Sequence, residues 1–126
     1  MRIGLLGGTF DPIHLGHLRI AEAVWERLHL DSVVFIPAGW PWLKADKAIS
    51  QPEHRLAMVE LAVNQHPNFS VSKIEMDRPG PTYTVDTLEE LHRNLGPDTC
   101  LHFIVGEDIL GNFHLWKDPD RVLELC

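Results

Sequence analysis

Two histidines stand three residues apart in the stretch "GGTFDPIHLGH", residues 7 to 17. At that spacing on a helix, His14 and His17 lie about one turn apart and can face the same way. The glycines ahead of them let a ligand approach the main chain closely. A helix start points N–H groups outward, and those groups favour an anion, phosphate above all. The combination reads as a phosphate cradle with two imidazole donors, able to oppose charge that develops in a transition state. Rival chemistries fit less well. No Gly-Lys-Ser/Thr follows the glycines, so the Walker A loop is not met, and Gly-x-Gly-x-x-Gly is missing too. Two histidines could hold a metal, but no neighbouring cysteine or obvious third ligand accompanies them.

The pair needs a strand to deliver it and a helix to carry it. "RIGLLG" is a short apolar run broken at Gly7-Gly8, which predicts a buried strand. Leu18, Ala21, Val24, Trp25 and Leu28 then recur at helical spacing until Asp31. "SVVFIP" is a second β-branched strand ending at Pro37. Strand, helix, strand implies a βαβ unit with parallel strands and a right-handed crossover. Further on, a helix is expected from about Pro52 to Gln65, with Ser50 as N-cap and Leu56, Val59, Ala62 and Val63 as its stripe. "FSVSKIEM" reads as a strand. Thr84 reads as the N-cap of a helix carrying Val85, Leu88, Leu91 and Leu95, stopped by Gly96-Pro97. "CLHFIV" is another buried strand, and Asp118-Pro119 opens a last helix. The alternation implies an α/β fold: a Rossmann-like open parallel sheet with helices on both faces, in a single domain over residues 1–126. Ligands in such sheets bind at the carboxyl ends of the strands, so the loops 7–17, 37–47 and 106–116 should converge there.

Composition narrows the partners. Of 126 residues, 18 are acidic and 11 basic, for a formal net charge of -7, and no Lys/Arg run offers a stripe to a nucleic acid. A local site can still bind a small anion against the global charge. Cys100 and Cys126 form no Cys-x-x-Cys motif, which fits a reducing compartment and makes the cytoplasm the expected location. No apolar segment is long enough to span a bilayer, and the N-terminus does not read as a signal peptide.

The string Gly-Gly-Thr-Phe-Asp-Pro-x-His-x-Gly-His resembles the signature of the nucleotidylyltransferase superfamily, whose core is His-x-Gly-His. Its particular form is similar to that of bacterial nicotinate mononucleotide adenylyltransferases. "FIPAGWPWLK", "DRPGPTYTVDTLEEL" and "FIVGEDILGNFHLWKD" resemble that family's second-strand loop, nicotinate loop and Gly-x-Asp segment, in the family's order. The resemblance implies a nucleotidylyltransferase-type fold, and transfer of the adenylyl group of ATP to nicotinate mononucleotide with Mg²⁺ on the ATP phosphates. It implies that Gly8, Thr9 and Phe10 line the phosphates and that His14, His17 and Lys44 contact them. It places Gly106 and Asp108 at the adenosine ribose. Thr84, with the backbone at Tyr83, would hold the nicotinate carboxylate, and Trp116 would stack on the pyridine ring. No resident metal ligand is implied, and the expected partners are these two small molecules, with neither nucleic acid nor membrane; a homo-oligomer is compatible.

Each residue has a plainer reading beside the functional one. Lys44 could be a solvated loop lysine competing with Lys47, Thr84 a simple cap, Trp116 a packing residue, Asp108 a cap and Asp11 a turn former. Two departures stand out. Family members often carry Pro-Pro-His-Lys where this chain has Pro41-Trp42-Leu43-Lys44, so no loop histidine is carried over. The family's Ile-Ser-Ser-Thr-x-Ile-Arg-type segment has no counterpart, so the chain reads as the N-terminal portion of the family domain. On that reading it is expected to be weakly active or inactive by itself. The alternatives are a sister enzyme with another phosphate acceptor such as phosphopantetheine, a non-catalytic nucleotide-binding module, and, distantly, a metal-dependent hydrolase.

Overall fold

The computed structural model describes residues 1–39, 50–78, 83–105 and 112–126. Four strands form one parallel sheet: β1 (Arg2–Gly8), β2 (Ser32–Pro37), β3 (Phe69–Val71) and β4 (Cys100–Ile104). Their order is β3-β2-β1-β4. The chain therefore builds outward from β1 in one direction and then crosses back to β1's other side. The crevice between the carboxyl ends of β1 and β4 is the switch point of the sheet, the place where such folds bind ligands. β1 pairs along its whole length, with Gly7 opposite Ile36 and Gly8 opposite Pro37. The two glycines thus continue the strand that they were expected to break. On the other side Leu6 pairs with Ile104.

Strand alternation sends side chains to two faces. One face gathers Leu6, Val33, Phe35 and Ile104 under the helices α1 (Leu15–Arg27) and α2 (Pro52–Val63), which contribute Ala21, Val59 and Val63. The opposite face gathers Ile3, Leu5, Ile36 and Leu101 under α3 (Thr84–Leu95) and α4 (Pro119–Leu125), which contribute Val85, Leu88, Leu91, Val122 and Leu125. Helices on both faces of a parallel sheet were the expectation, and this is the architecture found. A 3₁₀ turn, Phe113–Leu115, precedes α4. Among the described residues, no helix is long and apolar enough to cross a membrane.

Several local expectations are corrected. α2 begins after Gln51, with Pro52 in its first turn, and ends at Val63. Ser50 does not cap it; the Ser50 N–H donates instead to the Asp11 carboxylate at 2.8 Å. β3 covers only three residues, because the Ser72 hydroxyl accepts from the Ile74 N–H at 3.2 Å and turns the chain. The N-cap of α3 is Tyr83, and Thr84 is the first helical residue. Leu95 is 42% exposed and lies outside the α3 stripe. Asp118 precedes α4 at φ 48° and makes no side-chain cap.

Candidate nucleotide site

The chain leaves β1 at Gly8, and Phe10 takes up a left-handed φ of 52°. For a side chain larger than glycine this conformation is costly, about 1–2 kcal/mol. It is offset by burial: Phe10 is 3% exposed and packs on Phe35, with ring centroids 6.0 Å apart. Its ring also meets His17 edge-on at 5.0 Å. Phe10 thus forms a floor under His17, and any contribution to a ligand comes from its backbone. An Asp11-Pro12 cis bond then leads the chain to His14.

His14 is the N-cap of α1, with extended backbone at φ -140°. Its Nδ1 accepts from the Gly16 N–H at 3.1 Å. The His17 Nδ1 accepts in turn from the His14 N–H at 3.0 Å. The two rings stack with centroids 3.8 Å apart. This is a capping box built from two imidazoles in place of a hydroxyl and a carboxylate. The spacing explains the intervening glycine: a Cβ on Gly16 would sit 2.9 Å from the His14 Cε1 and 3.0 Å from its Nδ1.

The cap has a chemical consequence. Each Nδ1 is an acceptor, so each neutral ring carries its proton on Nε2. Among the described residues, no hydrogen bond engages either Nε2. The expectation that α1 offers free amides to an anion is corrected at two positions: the His14 and Gly16 amides are taken by imidazoles, and the two Nε2–H groups stand as donors beside them. Burial, with the charge of His14 as the smaller cause, pushes the His17 pKa below the ordinary histidine value. His17 is therefore neutral at pH 7, the form the cap requires.

Beside this pair lies a residue that the sequence did not flag. Arg55, on α2, is fully buried. Its Nε donates to the Ser50 carbonyl at 2.9 Å, and its Nη2 to the Gly39 carbonyl at 3.2 Å. Its Nη1 donates to the carbonyls of Thr9 at 3.0 Å and Ala38 at 2.5 Å. A buried cation is tolerated only when paired or fully hydrogen-bonded, and here main-chain oxygens supply the partners. The one signal in the sequence was position: Arg55 precedes Val59 and Val63 by four and eight residues on the inward stripe of α2.

On the opposite face, the start of α3 is built differently. Among the described residues, no side chain caps it. Tyr83 packs against that face's apolar cluster, and the Lys117 ammonium lies 5.0 Å from the centre of its ring. Lys117 also pairs with Asp86 in the first turn of α3 at 3.2 Å. Trp116 joins the same cluster, with its ring edge-on to Phe103 at 5.9 Å and tilted against Phe113 at 5.1 Å. Its indole nitrogen is buried, with no hydrogen-bond partner among the described residues. Deeper in α3, the Thr87 hydroxyl donates to Glu75 at 2.8 Å and accepts from Arg78 at 3.0 Å. Arg78 reaches on to Glu90 at 3.2 Å.

The structure thus sorts the sequence-derived residues into two groups. Gly8, Thr9, Phe10, His14 and His17 stand together at the end of β1, on the face covered by α1 and α2. Tyr83, Thr84 and Trp116 stand on the face covered by α3 and α4. The groups share the carboxyl end of the sheet, because a crossover helix between parallel strands starts at that end. Lys44, Gly106 and Asp108 lie outside the described residues, as do most of the loops expected to join the two groups.

Known proteins share the sequence and the fold. A 121-residue stretch of the chain (96% of it) is 50% identical to a protein of Paenarthrobacter aurescens (strain TC1) named "Probable nicotinate-nucleotide adenylyltransferase", covering 58% of that protein. A Corynebacterium glutamicum protein of the same name is 47% identical over 125 residues, 99% of this chain and 57% of its own length. The chain thus spans rather under two thirds of the length of these curated relatives. Among solved structures, Plasmodium falciparum nicotinic acid mononucleotide adenylyltransferase complexed with NaAD superposes with a TM-score of 0.82 at 20% identity, over 96% of this chain and 59% of that one, a likeness of fold. The model of the cytidylyltransferase-like proteins matches residues 5–126, from the middle of β1 through the histidine cap to the last residue, and the chain belongs to that family.

Proposed function

We propose that the chain carries the nucleotide half of an adenylyltransferase that moves the adenylyl group of ATP to nicotinate mononucleotide, releasing nicotinate adenine dinucleotide and pyrophosphate in NAD biosynthesis. The observation that carries the reading is the imidazole cap. It sets two Nε2–H donors at the switch point of a parallel sheet, in a chain whose relatives are named for this reaction. The chemistry asks for little else. An oxygen of the mononucleotide's 5′-phosphate attacks the α-phosphorus of ATP as the bond to the pyrophosphate oxygen breaks in line. The attacking oxygen is already ionised, so no general base is required. What must be supplied is position and neutralisation of charge.

In this reading His14 and His17 donate from Nε2 to the ATP phosphates, His17 nearest the α-phosphate. The main chain at Gly8, Thr9 and Phe10 borders them. Lys44 adds a cation, and Gly106 and Asp108 receive the adenosine ribose. Mg²⁺ enters with the nucleotide, as MgATP, and supplies charge neutralisation on its phosphates. The uncapped start of α3, at Tyr83 and Thr84, suits the nicotinate carboxylate, because its first-turn amides favour an anion. Trp116 faces the pyridine ring, where an electron-rich indole suits a cationic ring. The substrates are small molecules, and the reaction is placed in the cytoplasm.

The test mixes the purified chain with MgATP and nicotinate mononucleotide and follows pyrophosphate and dinucleotide together. Equal yields that depend on both substrates and vanish in His17→Ala support the proposal. MgATP binding, or product formation, that His17→Ala leaves unchanged would overturn the assignment. A faster reaction with phosphopantetheine would reassign the acceptor.

A further inference from the structure

Arg55 ties together three stretches of chain that secondary structure leaves loose. Thr9 begins the segment between β1 and α1. Ala38 and Gly39 follow β2. Ser50 precedes α2. Their four carbonyl oxygens converge on one guanidinium. Four converging carbonyls without a donor would repel one another, and that of Ala38 would be buried without a partner, so the convergence requires the cation. The planar five-donor fork of arginine fits such a set, whereas the compact lysine ammonium cannot span it. A second link runs parallel to the first: the Ser50 N–H donates to the Asp11 carboxylate at 2.8 Å, joining the same two loops from the solvent side. Burial holds the Arg55 pKa below the ordinary guanidinium value, and the charges of Asp11 and Glu53 oppose that shift.

From this we infer that Arg55 is a positioning residue of the nucleotide site, with Asp11 as its outer partner: it fixes the loop that ends in the His14–His17 cap against the loop that leaves β2. Arg55 touches no ligand in this scheme. It acts through the Thr9 carbonyl, one residue before the strained Phe10 whose ring supports His17. The inference rests on the proposal that this cap holds the ATP phosphates, and it assigns a role to a residue outside the His-x-Gly-His string.

The experiment compares the parent chain with Arg55→Lys, Arg55→Ala and Asp11→Asn. It measures the thermal midpoint, MgATP affinity by calorimetry well below that midpoint, and amide exchange at residues 9–11 and 50. Expected are an affinity reduced about tenfold or more in both Arg55 variants, and about threefold in Asp11→Asn at a nearly unchanged midpoint. Methylguanidinium, which can enter the space left by Arg55→Ala, should recover part of the loss, something a general loss of stability would not allow. An Arg55→Lys chain that is folded and binds MgATP within twofold of the parent overturns the inference. Where the Arg55 variants do not fold, Asp11→Asn decides alone: exposed and isosteric, it keeps the fold, and unchanged affinity with unchanged exchange at residues 9–11 overturns the clamp. Should the parent itself bind no MgATP, the functional proposal fails, and the exchange rates still judge the clamp: at least tenfold faster exchange at residues 9–11 in Arg55→Lys or Asp11→Asn upholds it.

Discussion

In the proposed function the starts of α1 and α3 serve the same kind of ligand by opposite means. α1 spends its first amides internally: two backbone N–H groups go to imidazole nitrogens, and the donors it offers are the far edges of those rings. α3 has no side-chain cap, and its anion-binding capacity is that of the helix start itself. Moving a donor from the main chain to a ring Nε2 extends its reach by several bonds and makes it dependent on tautomer. Leaving it on the main chain keeps it short and independent of pH. A long triphosphate suits the first arrangement, and a single carboxylate suits the second.

The comparison can be broken at its strongest point by His17→Ala. That change removes one donor and the partner of the His14 N–H together, and adenylyl transfer should fall by about two to three powers of ten in a steady-state assay. Gly16→Ala tests the cap without touching a donor. Its Cβ displaces the His14 ring, which should lower stability by about 1 kcal/mol in chemical denaturation and weaken MgATP binding about tenfold, while Gly7→Ala, whose Cβ meets nothing closer than 3.8 Å, should change stability by less than about 0.5 kcal/mol. At the other helix, Lys117→Met releases the half-exposed ammonium from Tyr83 and Asp86. Stability should change by less than about 1 kcal/mol, but KM for the mononucleotide should rise while that for ATP stays put, because only the α3 start is affected.

The smallest effect is in pH. The folded state holds the His17 pKa below the ordinary histidine value, so in the window under that value the unfolded chain binds the proton first. Stability should be flat above about pH 6.5 and decline as the pH falls below it. The slope should be shallower in His17→Asn, which is read from denaturation midpoints between pH 5 and 8. A flat profile in the parent would contradict the neutral cap.

Much of this molecule was legible in its residues, for reasons that also mark where reading stopped. β2 was found with its boundaries because a β-branched run between Asp31 and Pro37 admits few alternatives. The histidine string announced a ligand site because its spacing serves both a helix start and a donor pair. What escaped was the direction of the hydrogen bonds: a sequence lists donors and acceptors without saying which meet, and the rings claim two amides, those of His14 and Gly16, that the helix start alone would leave free. Arg55 escaped because an arginine on a helix is ordinarily solvated, and its burial depends on four carbonyls brought from three stretches of chain. Phe10 was read only as main chain beside phosphates, and its left-handed turn into the core depends on space left by Phe35.

Gly39 carries a last consequence. An added Cβ there would lie 2.6 Å from the carbonyl oxygen of Glu75 and 3.1 Å from the Cα of Met76, so two stretches of main chain touch with nothing between them. On one flank Gly39 is bound to Arg55, and on the other Glu75 is bound to Thr87 in α3. A continuous run of contacts therefore passes around the β3 margin from the histidine side of the sheet to the tyrosine side. Only a residue without a side chain lets the segment after β2 and the segment after β3 lie this close, so Gly39→Ala should force one of them to move.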